Sequence, residues 1–441
     1  MNNKKPLCVI SAPFATRSGY GEHSRDLIRS LAKLNKYDIK LISTKWGGCP
    51  MNALDEKDMD LITIMMTEES FNTQPDLWIQ VTIPPEFQRV GKYNIGITAG
   101  IETTACAPSW LEACNKMDLI LVPSQHSKDC LTRTNYDKID NQTKKKIGVL
   151  KLERPIEVLF EGVDIDMYKK PKELSKTIIT SMKEVEEDFA FLFVGHWLQG
   201  ELGHDRKDVG KMIDIFCKTF KNKINNRPAL ILKTSGATFS KKDKAEITRK
   251  IESVKNRTEN APNVYLLHGD LTQEEMSSLY NHPKVKAHLT FTKGEGFGRP
   301  ILEATLSGKP VIAPKWSGQV DFLNPEYSVL LHGKLQKVHR SVVWKEIIIP
   351  ESSWYYVDYD MASRAMKDVF KNYSDYLKQS RKHIQYTKDN FSFDKMTDVF
   401  SELIEKYIPQ FSVFKEADIT GFPEMKKKDG GKIEFPKLKK V

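Results

Sequence analysis

The chain has 441 residues, 40% of them hydrophobic, and a formal net charge of +10. That length exceeds one ordinary core and predicts two domains, while no apolar run approaches the ~20 residues that span a bilayer. Six scattered cysteines form no Cys-x-x-Cys pair and no zinc spacing, which argues against a disulfide framework and predicts reduced, mostly buried thiols.

Residues 1–5 are polar and pass straight into an apolar run, with no stretch of signal-peptide length before it, so a cytoplasmic protein is expected. Residues 7–11 read as a buried strand. Residues 21–34 follow with Leu27, Ile28, Leu31 and Leu34 at helical spacing. Further strands are predicted at 39–44, 77–83, 93–98 and 119–122. Ser124 is then placed to cap a helix through Arg133. Residues 138–154, with Lys144, Lys145 and Lys146, read as an exposed basic insertion.

After a polar, lysine-rich joint near 165–185 the rhythm restarts. Strands are predicted at 189–194, 229–232, 264–267, 287–292 and 310–313. Helices fall between them at 209–220, 240–258 and 272–281, the last opened by a Thr272–Glu275 capping box. A helix begins at Arg299, where Pro300 suits the first turn and Gly308 the C-terminal cap. Strands alternating with helices imply parallel sheets, so the fold class is α/β with two Rossmann-like, doubly wound domains facing across a cleft. We expect an N-terminal, acceptor-side domain at 1–170, a second domain at 171–389, and a helix at 390–408 crossing back to the first. Residues 409–441 form a basic tail, with seven lysines beyond residue 422.

The segment most suited to chemistry is 292–304, Thr-Lys-Gly-Glu-Gly-Phe-Gly-Arg-Pro-Ile-Leu-Glu-Ala. Gly294, Gly296 and Gly298 let backbone amides approach a phosphate, and the following helix N-terminus adds partial positive charge. Glu295 and Glu303 flank the turn. They are too far apart for one helical pair, which suggests the two ends of a single ligand.

The run Glu-Gly-Phe-Gly-x-x-x-x-Glu-Ala, followed by Ser-Gly-Lys-Pro-Val-Ile-Ala at 307–313, resembles the E-x7-E signature of retaining glycosyltransferases of the GT-B fold, most closely family 4. Residues 266–275, Glu161-Gly-Val-Asp164, Gly100-Ile-Glu-Thr-Thr104 with Trp110, residues 122–124, and Ser18-Gly-Tyr-Gly21 resemble secondary patterns of the same family. The resemblance spans roughly residues 7–405. It implies that the amides of Gly296, Phe297 and Gly298 face the donor phosphates, that Glu303 accepts ribose hydroxyls and that Glu295 contacts the donor sugar. Gly19 and Gly21 would form the first glycine-rich loop. Lys207 matches the lysine of a basic pair that neutralises the diphosphate. The partner position, an arginine in the family, is His196 here, and Arg206 and Lys233 are the candidates to supply the missing charge. Glu102 is the acceptor-side candidate, with His126 near it. His23 and His204 read as structural.

By the same resemblance the donor is a UDP- or GDP-sugar with no cofactor, and the acceptor is a hydroxyl, of a glycan or a lipid-linked molecule; the lack of an Asp-x-Asp motif predicts metal independence, and the basic insertion and tail permit a hydroxylated DNA base as acceptor. The net charge favours anionic partners, including an acidic surface touched by the tail at a membrane periphery. Rival readings are a sugar-nucleotide epimerase and a non-enzymatic nucleotide- or nucleic-acid-binding protein. An oxidoreductase fits poorly, because Ser24 stands where G-x-G-x-x-G ends in glycine.

Overall fold

The computed structural model describes residues 5–66, 73–223, 225–236 and 238–411. The lysine-rich tail after residue 411 lies outside the described residues. The first sheet is built from β1 (Leu7–Ala12), β2 (Asp38–Ser43), β3 (Leu77–Val81), β4 (Tyr93–Ile97) and β5 (Leu119–Val122). The basic insertion forms an antiparallel hairpin of β6 (Tyr136–Ile139) and β7 (Lys146–Leu150). Strand β8 (Ile156–Val158) then completes a parallel sheet of order β2-β1-β3-β4-β5-β8. Every residue of β3 and β5 is buried, as expected for central strands covered by helices on both faces.

The second sheet contains β9 (Ala190–Val194), β10 (Ala229–Lys233), β11 (Val264–Leu267), β12 (Val285–Leu289), β13 (Val311–Pro314) and β14 (Val329–Leu331). Its order, β11-β10-β9-β12-β13-β14, reverses direction between β9 and β12. An antiparallel pair, β15 (Gly333–Lys337) with β16 (Ser353–Val357), follows. The two doubly wound parallel sheets are those expected from the sequence. In such sheets the crevice at the reversal point, outside the carboxyl ends of the strands, is where ligands are held.

Two local expectations are corrected. Strand β12 stops at Leu289, short of Thr292, because its pairing to β13 ends at Leu289 opposite Ile312. Residues 290–298 are therefore a long loop. Gly19 and Gly21 are not in a loop: they form the first turn of the helix Gly19–Lys33, whose N-cap Ser18 accepts from the Gly21 amide at 3.0 Å. A Cβ on Gly21 would sit 2.2 Å from the Thr16 carbonyl oxygen, which explains the glycine by close packing.

The chain end returns to the first sheet. Val163 accepts from Phe393 N–H and donates to Phe391 O, each at 3.0 Å, beside the break at Ser392. The helix Phe393–Tyr407 then buries Met396, Phe400, Leu403 and Ile404 in the same core as Ile10, Leu27 and Leu31. Among the described residues no helix is long and apolar enough to cross a membrane.

Candidate active site

The site is assembled from two loops that leave neighbouring strands at the reversal point. One follows β9 and reaches the helix Val209–Phe220. The other follows β12 and reaches the helix Arg299–Thr305. Lys293 joins them. Its side chain is wholly buried, and Nζ lies 2.7 Å from Asp208 Oδ1 and donates to the Asp205 carbonyl at 2.7 Å. The Lys293 amide donates to Arg206 O at 2.7 Å. Asp208 holds a left-handed backbone (φ 54°), and its second oxygen accepts the Tyr359 hydroxyl at 2.6 Å. The Tyr356 ring packs 4.7 Å from the ammonium.

This clamp sets Arg206 and Lys207 beside Glu295. Lys207 pairs with one Glu295 oxygen, and Arg206 lies 3.1 Å from the other. Arg206 also donates to Gly294 O at 3.0 Å and stands 3.7 Å from Glu102, across the cleft. Burial opposes charge on Glu295, but Lys207 and Arg206 outweigh it and hold the carboxyl down at about 2. His196 is held below the usual imidazole range by burial and then by Lys207, Lys233 and Arg206. Its Nδ1 is 3.1 Å from Ser235 Oγ. Lys233, at the end of β10, donates to Gly269 O at 2.7 Å. Arg206 and Lys207 thus meet on one deeply buried carboxylate, while Lys233 is held at the end of the neighbouring strand by the Gly269 carbonyl.

Glu303 belongs to a second cluster. Its two oxygens take the Tyr280 hydroxyl at 3.0 Å and Arg299 Nε at 3.1 Å. Arg299 also bridges to the first domain, reaching Asp26 at 2.6 Å and Glu22 at 3.6 Å. Burial, reinforced by Glu22, raises Glu303 to about 7 against the pull of Arg299. Glu161 is buried in the same field and rises to about 8, with burial the main cause.

The glycine-rich turn is packed against the first domain. A Cβ on Gly294 would lie 1.8 Å from Glu102 O, and one on Gly296 would lie 1.8 Å from Ala99 O. Ser124 Oγ donates to Gly296 O at 2.5 Å. Gly298 has φ 103° at the helix start, and Phe297 points into the core beside Phe322. His126 packs edge-on to Trp316 at 4.6 Å. Glu295, Lys207, Arg206 and Glu102 are therefore brought together, with His196 and Lys233 after the ends of the paired strands β9 and β10. Glu303 lies apart from them, in the Arg299 cluster, and Gly19 and Gly21 act in helix packing. Sequence reasoning passed over Lys293, Asp208, Arg299, Tyr280 and Glu161 as site-forming residues. Only Glu161 carried a signal, through its place in the Gly-Val-Asp motif.

Neither a family model nor a curated protein sequence matches the chain. Its architecture does match solved structures. A glycosyltransferase from Rickettsia africae aligns with TM-score 0.59 and 15% identity, over 91% of this chain and 98% of that one. An Anabaena protein, HepE, in complex with UDP and glucose aligns with TM-score 0.55 and 12% identity, over 91% and 99%. Sucrose-phosphate synthase from Thermosynechococcus elongatus gives 0.59 and 11%, over 91% and 99%. At such identities the likeness is one of fold, and that fold is GT-B.

Lys293→Met leaves Asp208 buried and unpaired, and should cost about 3–5 kcal/mol in denaturant unfolding. Adding Asp208→Asn, which tolerates the left-handed backbone, should recover much of that loss; an equally unstable double variant would show that the pair is not the clamp. Glu161 and Glu303 have folded pKa values above the ordinary 4.5. Their contribution to stability is therefore complete below that value and is lost as pH rises through about 7 and 8. The slope is at most about 1.4 kcal/mol per pH unit for each carboxyl. Glu161→Gln should flatten this decline in melts between pH 5 and pH 8. An unchanged pH slope would remove Glu161 from the account.

Proposed function

We propose that the protein transfers a sugar from a nucleoside-diphosphate sugar to a hydroxyl acceptor, with retention at the anomeric carbon. The observation that carries this reading is the pairing of Arg206 and Lys207, from the loop after β9, with buried Glu295, from the loop after β12, beside Lys233 at the carboxyl end of β10. A diphosphate leaving group needs such charge where its own develops, and fixed cations in a dry site supply it without reorganisation. The presence of UDP in the Anabaena neighbour's complex supports a UDP-sugar as the first donor to test.

In this reading Lys207 and Arg206 bind the diphosphate, and Lys233 supplies the charge lost with histidine at position 196. Glu295, tethered to both cations, presents its carboxylate to the donor sugar. Glu303 takes the ribose hydroxyls in exchange for the Tyr280 hydroxyl, so the carboxylate stays paired throughout. The C1–O bond to the diphosphate breaks as the acceptor oxygen bonds C1 from the same face. The acceptor proton passes to a departing phosphate oxygen. Glu102, facing Arg206 from the first domain, lies on the acceptor side. The acceptor is a hydroxyl whose carrier is selected by first-domain loops.

The test is a thermal-shift screen of the full chain against UDP-, GDP- and ADP-sugars, followed by transfer assays with the donor that binds. One donor class should raise the melting temperature. Lys207→Ala should lower kcat by about 10²–10³. Glu303→Ala should abolish the donor-induced shift; a shift of normal size in that variant would refute the assignment of the ribose site. Release of an isomerised sugar nucleotide without an acceptor would instead identify an epimerase.

A further inference from the structure

We propose that Glu201, His204 and His339 form a binding site for a borderline divalent transition metal of the zinc type. The site lies outside the cation cluster, and the inference does not depend on the sugar-transfer reading. One ligand atom from each of the three residues lies within 4.8 Å of the others. Donors around a tetrahedral ion with bonds near 2.1 Å stand roughly 3.4 Å apart, so the set closes when one imidazole turns out of its stack on the other. Two imidazoles and one carboxylate, with a position left open to solvent, suit zinc and its neighbours better than magnesium or calcium, which prefer oxygen alone.

The surroundings hold the three residues side by side. The two rings are stacked with centroids 3.9 Å apart and planes 13° from parallel. Each Nδ1 faces a hydroxyl: His204 meets Tyr356 at 3.4 Å, and His339 meets Ser341 at 2.8 Å. The Ser341 amide also donates to His339 Nδ1, at 3.3 Å. Among the described residues neither Nε2 has a hydrogen-bond partner. A ring that donates from Nδ1 and is free at Nε2 is the arrangement in which histidine ligates metal; His339, whose Nδ1 accepts from the Ser341 amide, must move its ring proton from Nε2 to Nδ1, toward the Ser341 hydroxyl, to reach it. The Glu201 amide donates to Ser341 Oγ at 3.3 Å, and His204 N–H donates to Glu201 O at 2.8 Å, so the two segments are already in register. Gly203, with φ 81°, permits the turn that brings Glu201 and His204 to the same side.

Glu201 and His204 come from the loop after β9, and His339 follows β15. A bound ion would therefore cross-link the loop carrying Arg206 and Lys207 to the β15–β16 arm, on the far side of the buried Lys293 clamp. It would bind as a tether, and its occupancy would set how freely that loop moves.

The test uses the full chain stripped of metal with a chelator. Zinc is titrated against a chromophoric competitor, and cobalt(II) is added separately to read its visible spectrum. One equivalent should bind, with an imidazole-containing cobalt spectrum. His339→Ala and His204→Ala should each weaken binding at least tenfold, and Ser341→Ala on the order of 10–100-fold through its hold on His339. Hydrogen exchange over residues 198–206 should slow with zinc in the wild type and show no response to zinc in His339→Ala. Absence of stoichiometric binding at micromolar zinc overturns the proposal. So does one equivalent bound with unaltered affinity in His339→Ala.

Discussion

A lysine and an aspartate with no exposure to water are costly to bury, and their mutual attraction compensates only when the remaining donors and acceptors are met. Lys293 and Asp208 satisfy that condition with the Asp205 carbonyl and the Tyr359 hydroxyl. The geometry of the pair has consequences beyond its own stability. Asp208 directly follows Arg206 and Lys207, and Lys293 stands two residues before Glu295. The pair therefore sets the distance between the candidate cations and the candidate acid. Two loops from adjacent strands would otherwise be free to separate at the point where a ligand is held.

The two charged clusters around this clamp have opposite balances. Near His196 stand Arg206, Lys207 and Lys233, opposed by buried Glu295 and by the more exposed Glu102. Near Arg299 one cation faces Glu22, Asp26, Glu161 and Glu303. The first arrangement is suited to an incoming anion. The second is over-supplied with acid and relieves itself by keeping protons, which is why Glu303 and Glu161 sit near and above neutrality. It also ties the domains together, since Asp26 and Glu22 come from the first helix of the first domain. Arg17 with Asp270 at 2.7 Å, and Lys57 with Glu274 at 3.0 Å, add exposed ion pairs across the same cleft. Such pairs are individually weak, so the buried Arg299 network is the stronger hold.

Much of the fold was legible in the sequence because apolar runs and helical spacing report burial directly. The Ser124 cap and the Thr272 box fell where the chain shows them. What could not be read was burial imposed by a partner distant in sequence. Lys293, between a threonine and a glycine, looks like a surface lysine; only Asp208, eighty-five positions earlier, makes it a core residue. The left-handed backbone at Asp208 carries no composition signal either. Gly19 and Gly21 illustrate the converse. A glycine pair beside a serine reads as a phosphate loop, yet the missing Cβ at Gly21 serves the Thr16 carbonyl. The Glu295 and Glu303 pair was visible as a spacing, whereas their separate electrostatic settings required the fold.

The glycines of the 292–304 segment admit two physical explanations. An amide approaching a phosphate needs no Cβ in the way, and neither does a turn packed on another domain. Gly294 and Gly296 meet the second requirement, since added Cβ atoms would strike first-domain carbonyl oxygens at 1.8 Å. Gly298 differs: an added Cβ meets nothing closer than 3.4 Å there, and its constraint is the left-handed φ that starts the helix. On the proposed function both explanations apply in turn. The same backbone that abuts Ala99 and Glu102 must face a diphosphate, and Glu303 must exchange a partner to accept ribose. It follows that the donor has to arrive while the domains stand apart. Closure then brings Glu102 against Arg206 and seals the cations from water, where their charge acts most strongly on the leaving group.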